Sequence, residues 1–267
     1  MHPLLFHFGR IAIPTYGVFT AAALLAALGV SVRAARRAGL AAEKVWNLGL
    51  TAILSTLIGE RLLLVAAHLS TFRTNPFWLL GVATITSRWI ALGGVAIGLA
   101  AAVLYALAEG LPPLRIADAV APAAAIGFAI NRVGAFLGGA GWGRRTTMPW
   151  GVAYRDELAW VWYHTPLGMK LHPVQLYDAG CSLGIFALLV WMGRTRREQA
   201  GEIAGAWLFL YGVARFFVDF YRGDTAGAEL FGGAVTLAQA LAALAVVMGG
   251  ALWIRRRPES HAANLVP

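Results

Sequence analysis

Charged side chains stand inside otherwise apolar runs of this sequence, among them Glu60 and Arg61, Arg132, and Arg215 with Asp219. A charge within a membrane span costs at least ~2.5 kcal/mol on insertion scales, so each needs a partner or a purpose. Tyr211, Arg215, Asp219 and Arg222 follow i, i+4, i+8, i+11 spacing, which lines them along one helical face. Arg215 and Asp219 can neutralise each other. Arg132 has no such partner in its own run, where the nearest acid is Asp118, about four turns away. Arg61 adjoins Glu60, but neighbouring residues on a helix do not face one another. Guanidinium groups match phosphate through bidentate hydrogen bonds. The chemistry implied is recognition of an anion with Arg132 and Arg215 as the clamp; simple charge neutralisation is the structural alternative.

Those side chains need a scaffold, and the composition says which kind. Of the 267 residues, 59% are hydrophobic and 13% charged, whereas soluble domains carry about 25% charged residues. A mean hydropathy of +0.66 excludes disorder, which requires low hydrophobicity. The chain reads as an all-α polytopic membrane protein. Its +9 formal charge comes from short arginine clusters between apolar runs, a topology signal and not a nucleic-acid surface. The single cysteine, Cys181, excludes an intrachain disulfide and a cysteine-built zinc site; packing within its span is its expected role.

A helix crosses the hydrocarbon core in ~20 residues, and about seven runs qualify: 14–32, 46–68, 88–108, 116–137, 174–192, 202–221 and 233–254. Arg33, Arg36 and Arg37 follow the first run, Arg194, Arg196 and Arg197 the fifth, and Arg255, Arg256 and Arg257 the seventh. With the N-terminus outside, all three clusters and the 255–267 tail fall in the cytoplasm, in keeping with the usual excess of Lys and Arg there. The first run has its basic residues behind it, so it is not read as a cleavable signal peptide.

At ~1.5 Å per residue from the inner ends, Arg61 lies about 22 Å, Arg132 about 24 Å and Arg215 about 20 Å along its span. Three arginines from three helices therefore share the outer leaflet, with Tyr16 on the same side. A phosphate resident at that depth belongs to a phospholipid headgroup. Residues 138–173 contain Gly138, Gly139, Gly141, Gly143, Trp142, Trp150, Trp160 and Trp162. Glycine-rich turns and interfacial tryptophans read as a folded extracytoplasmic cap within a single 1–267 domain.

The run Asn131-Arg-Val-Gly-Ala-Phe-Leu-Gly-Gly-Ala-Gly-Trp-Gly143, followed by Pro149-Trp-Gly-Val, resembles the G-R-x-G-N-F-x-N-G-E-x-x-G signature of bacterial prolipoprotein diacylglyceryl transferases. His172-Pro-Val-Gln-Leu-Tyr-Asp178 is similar to that family's H-P-x-Q-L-Y-E, and Tyr211-Gly-Val-Ala-Arg-Phe-Phe-Val-Asp-Phe-Tyr-Arg222 to its Y-G-x-x-R-F-x-x-E-F-x-R. Pro14-Thr-Tyr-Gly17 and Gly59-Glu-Arg61 match its motifs in spans one and two, so the matches run in order from residue 14 to 222.

The resemblance implies transfer of a diacylglyceryl group from phosphatidylglycerol to the lipobox cysteine of preprolipoprotein signal peptides. The reaction releases glycerol phosphate on the periplasmic side of the bacterial inner membrane, without metal or organic cofactor. Carried over by position, Arg132 matches the arginine that binds phosphatidylglycerol. Tyr16, Gly143, Tyr211 and Arg215 fall on other important positions, and Asp219 keeps an acid one carbon shorter. Arg61 and Arg222 join the expected donor contacts. The site is expected between spans one, two, four and six, open sideways to lipid, with displacement at the glycerol carbon that bears phosphate. Arg132 and Arg215 would stabilise the leaving phosphate, and Tyr16 and Tyr211 would orient it.

The chain departs from the family where chemistry is expected. Leu92-Gly93-Gly94 replaces a His-Gly-Gly whose histidine is a candidate general base in the family. Ala135, Gly138 and Ala140 replace the signature's two asparagines and its acid. His172 can take the role of base or hydrogen-bond to its loop; His68, His164 and Glu60 lie on the same side. Two function classes follow: a transferase acting on phosphatidylglycerol, or a divergent paralogue that binds or transports an anionic phospholipid or uses another acceptor.

Overall fold

Backbone groups inside hydrocarbon must be satisfied within their own segment, and every one of the seven apolar runs contains a helix. The computed structural model describes residues 1–8, 11–75, 88–195, 199–225, 229–230 and 235–254. Arg196, Arg197, the Arg255–Arg257 cluster and the 255–267 tail, assigned to the cytoplasm from sequence, lie outside the described residues.

The chain opens with an antiparallel pair, β1 (Leu4–Phe8) and β2 (Ile11–Pro14). Helices α1 (Thr15–Arg37), α2 (Ala42–Ala67), the short α3 (Leu69–Thr74), α4 (Arg88–Ala108) and α5 (Pro113–Gly138) follow. Next come β3 (Val152–Ala153), α6 (Glu157–Tyr163), β4 (Lys170–Leu171) and α7 (Val174–Thr195). The last elements are α8 (Glu202–Asp219), the hairpin β5 (Glu229–Leu230) and β6 (Val235–Thr236), and α9 (Leu237–Ile254).

Among the described residues, five helices, α1, α2, α4, α5 and α7, are long and apolar enough to cross a membrane. The 18-residue α8 and α9 occupy the sixth and seventh runs, with Glu202, Arg215 and Asp219 inside α8. The chain is thus a mostly helical, multi-pass membrane protein, and its strands are short two-stranded ladders.

The helices pack in pairs: α1 on α5, α2 on α4, and α8 on α9, with α7 joining α5 and α8. Small residues make these approaches close, because apolar lipid offers helices little hydrophobic drive to associate. A Cβ on Gly212 of α8 would stand 2.7 Å from the Ala242 carbonyl of α9. One on Gly98 of α4 would stand 2.7 Å from the Ala52 carbonyl of α2. Ala121, Ala125, Ile185, Leu189, Ile203 and Ala206 form a core where α5, α7 and α8 meet. At one end of that core Asp118 of α5 caps α8, accepting the Gly201 N–H at 2.6 Å and the Ala204 N–H at 2.9 Å. A carboxylate there satisfies otherwise orphaned N–H groups and complements the helix dipole.

Helix α5 ends at Gly139, whose φ of +93° no β-carbon-bearing residue adopts without strain. Beyond it, β3, β4 and α6 gather around Tyr154, Ala159 and Leu171. The Tyr154 hydroxyl donates to the Phe136 carbonyl at 3.1 Å and accepts from Gln175 Nε2 at 3.2 Å. Burial pushes the Tyr154 phenol up to about 12, so the proton it donates is held across the physiological range. Trp150 and Trp160 are exposed on this segment. Cys181 corrects the sequence expectation: it is exposed on α7 and not packed within the bundle.

Gly98→Ala drives a methyl into the α2 backbone and is expected to cost about 1–3 kcal/mol. Gly29→Ala, with nothing within 4 Å of the added carbon, serves as control. Thermal unfolding in detergent should separate the two.

Candidate active site

Three arginines from separate stretches converge on one carboxylate. Arg132 stands near the C-terminal end of α5, Arg215 near that of α8, and Arg222 in the turn after it. Asp178, in the second turn of α7, places Oδ2 at 3.2 Å from Arg132 Nε, 3.7 Å from Arg215 Nη1 and 4.0 Å from Arg222 Nη1. Asp219 is fully buried and pairs with Arg215 Nη2 at 3.0 Å. Asp224 holds Arg222 bidentately, through Nε at 2.9 Å and Nη2 at 2.6 Å. Three guanidinium and three carboxylate groups leave the cluster formally neutral.

Arg132 finds no acid within its own span and is balanced from outside it. Its partner lies on another helix, in the fifth span, which was not expected at the site. Asp178 sits in the His172–Asp178 run, near the N-terminal end of α7. The signal that marks it is depth compared across spans, because Asp178 and Arg132 stand in different spans. Asp118, the acid within Arg132's own span, serves α8 instead.

The cluster retains donors of its own. Arg215 Nη1 and Arg222 Nη1 are buried and have no hydrogen-bond partner among the described residues. Gly141, with φ +66°, lets the backbone lie against two of the arginines: a Cβ there would be 3.5 Å from Arg222 Nη2 and 3.8 Å from Arg132 Nη1. Gly143 bridges Arg222 in a single β-bridge, and any Cβ on it would collide with the His172 carbonyl. The Arg144 N–H donates to the Tyr221 carbonyl at 2.7 Å, and the Gly223 N–H to that of Trp142 at 3.0 Å. These bonds stitch the glycine-rich turn after α5 to the turn after α8.

The remaining expected residues divide. Tyr16, at the start of α1, donates to Asn131 Oδ1 at 3.4 Å and meets Tyr163 edge-on at 6.0 Å. Tyr211 stacks on Phe128 at 5.1 Å and Trp207 at 5.6 Å. Both tyrosines lie within electrostatic reach of Arg132. His172 belongs to a neighbouring aromatic group: its Nδ1 is 3.2 Å from Tyr177 Oη, and Tyr221 stands 5.0 Å away edge-on.

Arg61 is on α2, which packs against α4 and α1, whereas the ion pairs are made by α5, α7 and α8 with the turn that follows. Leu92 is 52% exposed on α4. Ala135 is buried in α5, and the Ala140 carbonyl accepts Gln175 Nε2 at 2.9 Å. Among the described residues, no group of three His, Cys, Asp or Glu could hold a metal.

A family model described as prolipoprotein diacylglyceryl transferase matches residues 3–255. The chain belongs to the prolipoprotein diacylglyceryl transferase family. Similar proteins named phosphatidylglycerol–prolipoprotein diacylglyceryl transferase include that of Vibrio vulnificus, 30% identical over 264 residues, covering 96% of this chain and 92% of that protein. The Aliivibrio salmonicida protein is 31% identical over 257 residues, 94% of this chain and 85% of its own. The Clostridium tetani protein is 26% identical over 227 residues, 85% and 88% respectively. Similarity of this extent covers the arginine-bearing helices and the 138–173 segment together, so the ion-pair cluster lies within the part of the chain that defines this transferase family.

Removing one partner from a buried ion cluster leaves the others uncompensated, at about 3–5 kcal/mol. Asp178→Ala is expected to lower thermal stability in detergent by that order. Arg155→Ala, on an exposed side chain, should change it little.

Proposed function

We propose that this protein transfers the diacylglyceryl group of phosphatidylglycerol to the lipobox cysteine of preprolipoproteins, with the donor phosphate held by Arg132 and Arg215. The observation that carries the reading is the convergence of Arg132, Arg215 and Arg222 from separate elements, with Nη1 groups of two of them buried and without hydrogen-bond partners. Guanidinium donors so arranged suit a phosphate. The names of the relatives support the donor and the acceptor class.

In the proposed topology seven helices span the inner membrane, N-terminus outside and C-terminus cytoplasmic. The 138–173 cap then faces the periplasm above a donor that enters sideways from the outer leaflet. Exposed Trp150 and Trp160 suit that interface.

The acceptor sulfur attacks the glycerol carbon that bears the phosphate. The carbon–sulfur bond forms as the carbon–oxygen bond breaks, and the electron pair leaves on glycerol phosphate. Arg132 and Arg215 stabilise that developing charge, which is the largest single contribution in many such sites. Tyr16 and Tyr211 orient the headgroup. Gly143 admits the close backbone turn, and Asp219 and Arg222 fix the clamp. Arg61 is assigned a donor contact from α2 on its expected depth. His172 takes the thiol proton: with Nδ1–H directed to Tyr177 Oη, the Nε2 lone pair is the acceptor.

A second reading, lipid binding without turnover, is favoured by Leu92, Ala135 and Ala140, where the family carries a histidine, an asparagine and an acid. One assay separates the two. Purified protein with labelled phosphatidylglycerol and a lipobox peptide should add one diacylglyceryl group to the cysteine and release glycerol phosphate. Glycerol phosphate without modified peptide points to another acceptor, and bound lipid with neither product supports the second reading.

Arg132→Ala should abolish copurifying phosphatidylglycerol and lower turnover by about 10²-fold or more; unchanged lipid content would remove the clamp. His172→Gln should lower turnover while leaving lipid binding intact. Full turnover in that variant excludes His172 as base.

A further inference from the structure

Asp219 is buried with two oxygens to satisfy, and Arg215 takes only one of them. The other, Oδ2, accepts the hydroxyl of Thr236, the last residue of β6. Thr236 is at the same time the N-cap of α9. Its Oγ1 accepts the Gln239 N–H at 3.0 Å, and its own N–H donates to Gln239 Oε1 at 3.0 Å. This reciprocal arrangement is a capping box, with glutamine three residues after the cap. A hydroxyl has one proton and two lone pairs. Here a lone pair serves the helix and the proton serves the carboxylate.

The two roles are locked together by the close approach of α8 and α9, where a Cβ on Gly212 would stand 2.7 Å from the Ala242 carbonyl. Asp219 Oδ1 forms an ion pair with Arg215 Nη2 at 3.0 Å, on the same guanidinium whose buried Nη1 lies 3.7 Å from Asp178 Oδ2 and makes no hydrogen bond among the described residues.

We propose that Thr236 is a positioning residue for the transfer reaction: its hydroxyl orients Asp219, and through it aims Arg215 at the phosphate. The inference rests on the donor-site reading above. It assigns to the N-terminus of α9 a part in the reaction, although that helix contributes no arginine to the cluster.

A charge-assisted hydrogen bond of this kind, converted through the rate equation, corresponds to about 10- to 100-fold in turnover. Thr236→Val is expected to lower kcat by that factor, measured with phosphatidylglycerol vesicles and a lipobox peptide, while KM for the lipid changes less than about threefold. Thr236→Ser should restore kcat. Gln239→Leu breaks the other half of the capping box and leaves the Thr236 hydroxyl on Asp219; it should lower the unfolding temperature with kcat within about twofold of the parent.

Parent-like kcat in Thr236→Val, beside a strongly impaired Arg215→Ala, overturns the positioning role alone. An equal loss of kcat in Gln239→Leu and Thr236→Val also overturns it, because helix capping would then be the whole effect. Parent-like turnover in Arg215→Ala overturns the donor-site reading, and this inference falls with it.

Discussion

The Asp178 carboxylate is the constraint on which the site depends. Three guanidinium groups cannot be withdrawn from water into the interior of a helix bundle without compensation, because desolvating a charge costs several kcal/mol. One oxygen of Asp178 lies within 4.0 Å of all three. The pairing requires α5, α7 and α8 to bring the ends that carry these residues to the same height, so the electrostatic requirement is also a requirement on topology. Asp219 and Asp224 then divide the remaining charge between Arg215 and Arg222.

Helix α8 is held at both ends by carboxylates that do opposite things. At its start Asp118 accepts from free N–H groups and complements the helix dipole. At its end Asp219 pairs ionically with Arg215 and accepts the hydroxyl of Thr236. Between those points Gly205 and Gly212 let α9 approach backbone to backbone. A helix pinned in this way can carry a buried arginine at a fixed height, because translation along its axis would break the bonds at both ends. The turn beyond it is fixed in the same manner by Arg144, Trp142 and Gly143.

What could be read from the sequence follows from the range of each interaction. Apolar runs produce helices through local backbone satisfaction, so the helical segments were legible, as were the similar heights of Arg132 and Arg215. The roles of Asp118 and Asp178 are not legible in the sequence for one reason: the partner of a buried charge sits across a helix interface, where sequence separation carries no information. Asp178 lies 46 positions from Arg132. The Thr236–Asp219 bond spans a turn and a hairpin, and nothing in the spacing of either residue marks it. Cys181 was placed inside the bundle because an apolar run does not by itself say which side of a helix faces lipid; α7 turns that position outward. His172 was legible as a motif residue but not as a member of an aromatic group with Tyr177 and Tyr221, since those contacts join the loop before α7 to the turn after α8.

The departures from the family bear unequally on the proposed reaction. Ala140 supplies no carboxylate, yet the arginines are already balanced by Asp178, Asp219 and Asp224, so holding a donor phosphate does not require an acid at position 140. An entering phosphate competes with Asp178 for the same guanidinium faces, and the neutral cluster must exchange an internal anion for an external one. Arg215 Nη1 and Arg222 Nη1 favour that exchange, because they gain hydrogen bonds that the resting cluster does not provide. Leu92 is different in kind. Each carboxylate of the cluster is already engaged by an arginine, so none stands free to take the place of a histidine as proton acceptor. The substitution at Leu92 therefore bears on proton transfer from the acceptor thiol, and the arginine clamp on donor recognition. In the proposed reaction, donor recognition and proton transfer are therefore separable, the first assigned to the arginines and the second to another group.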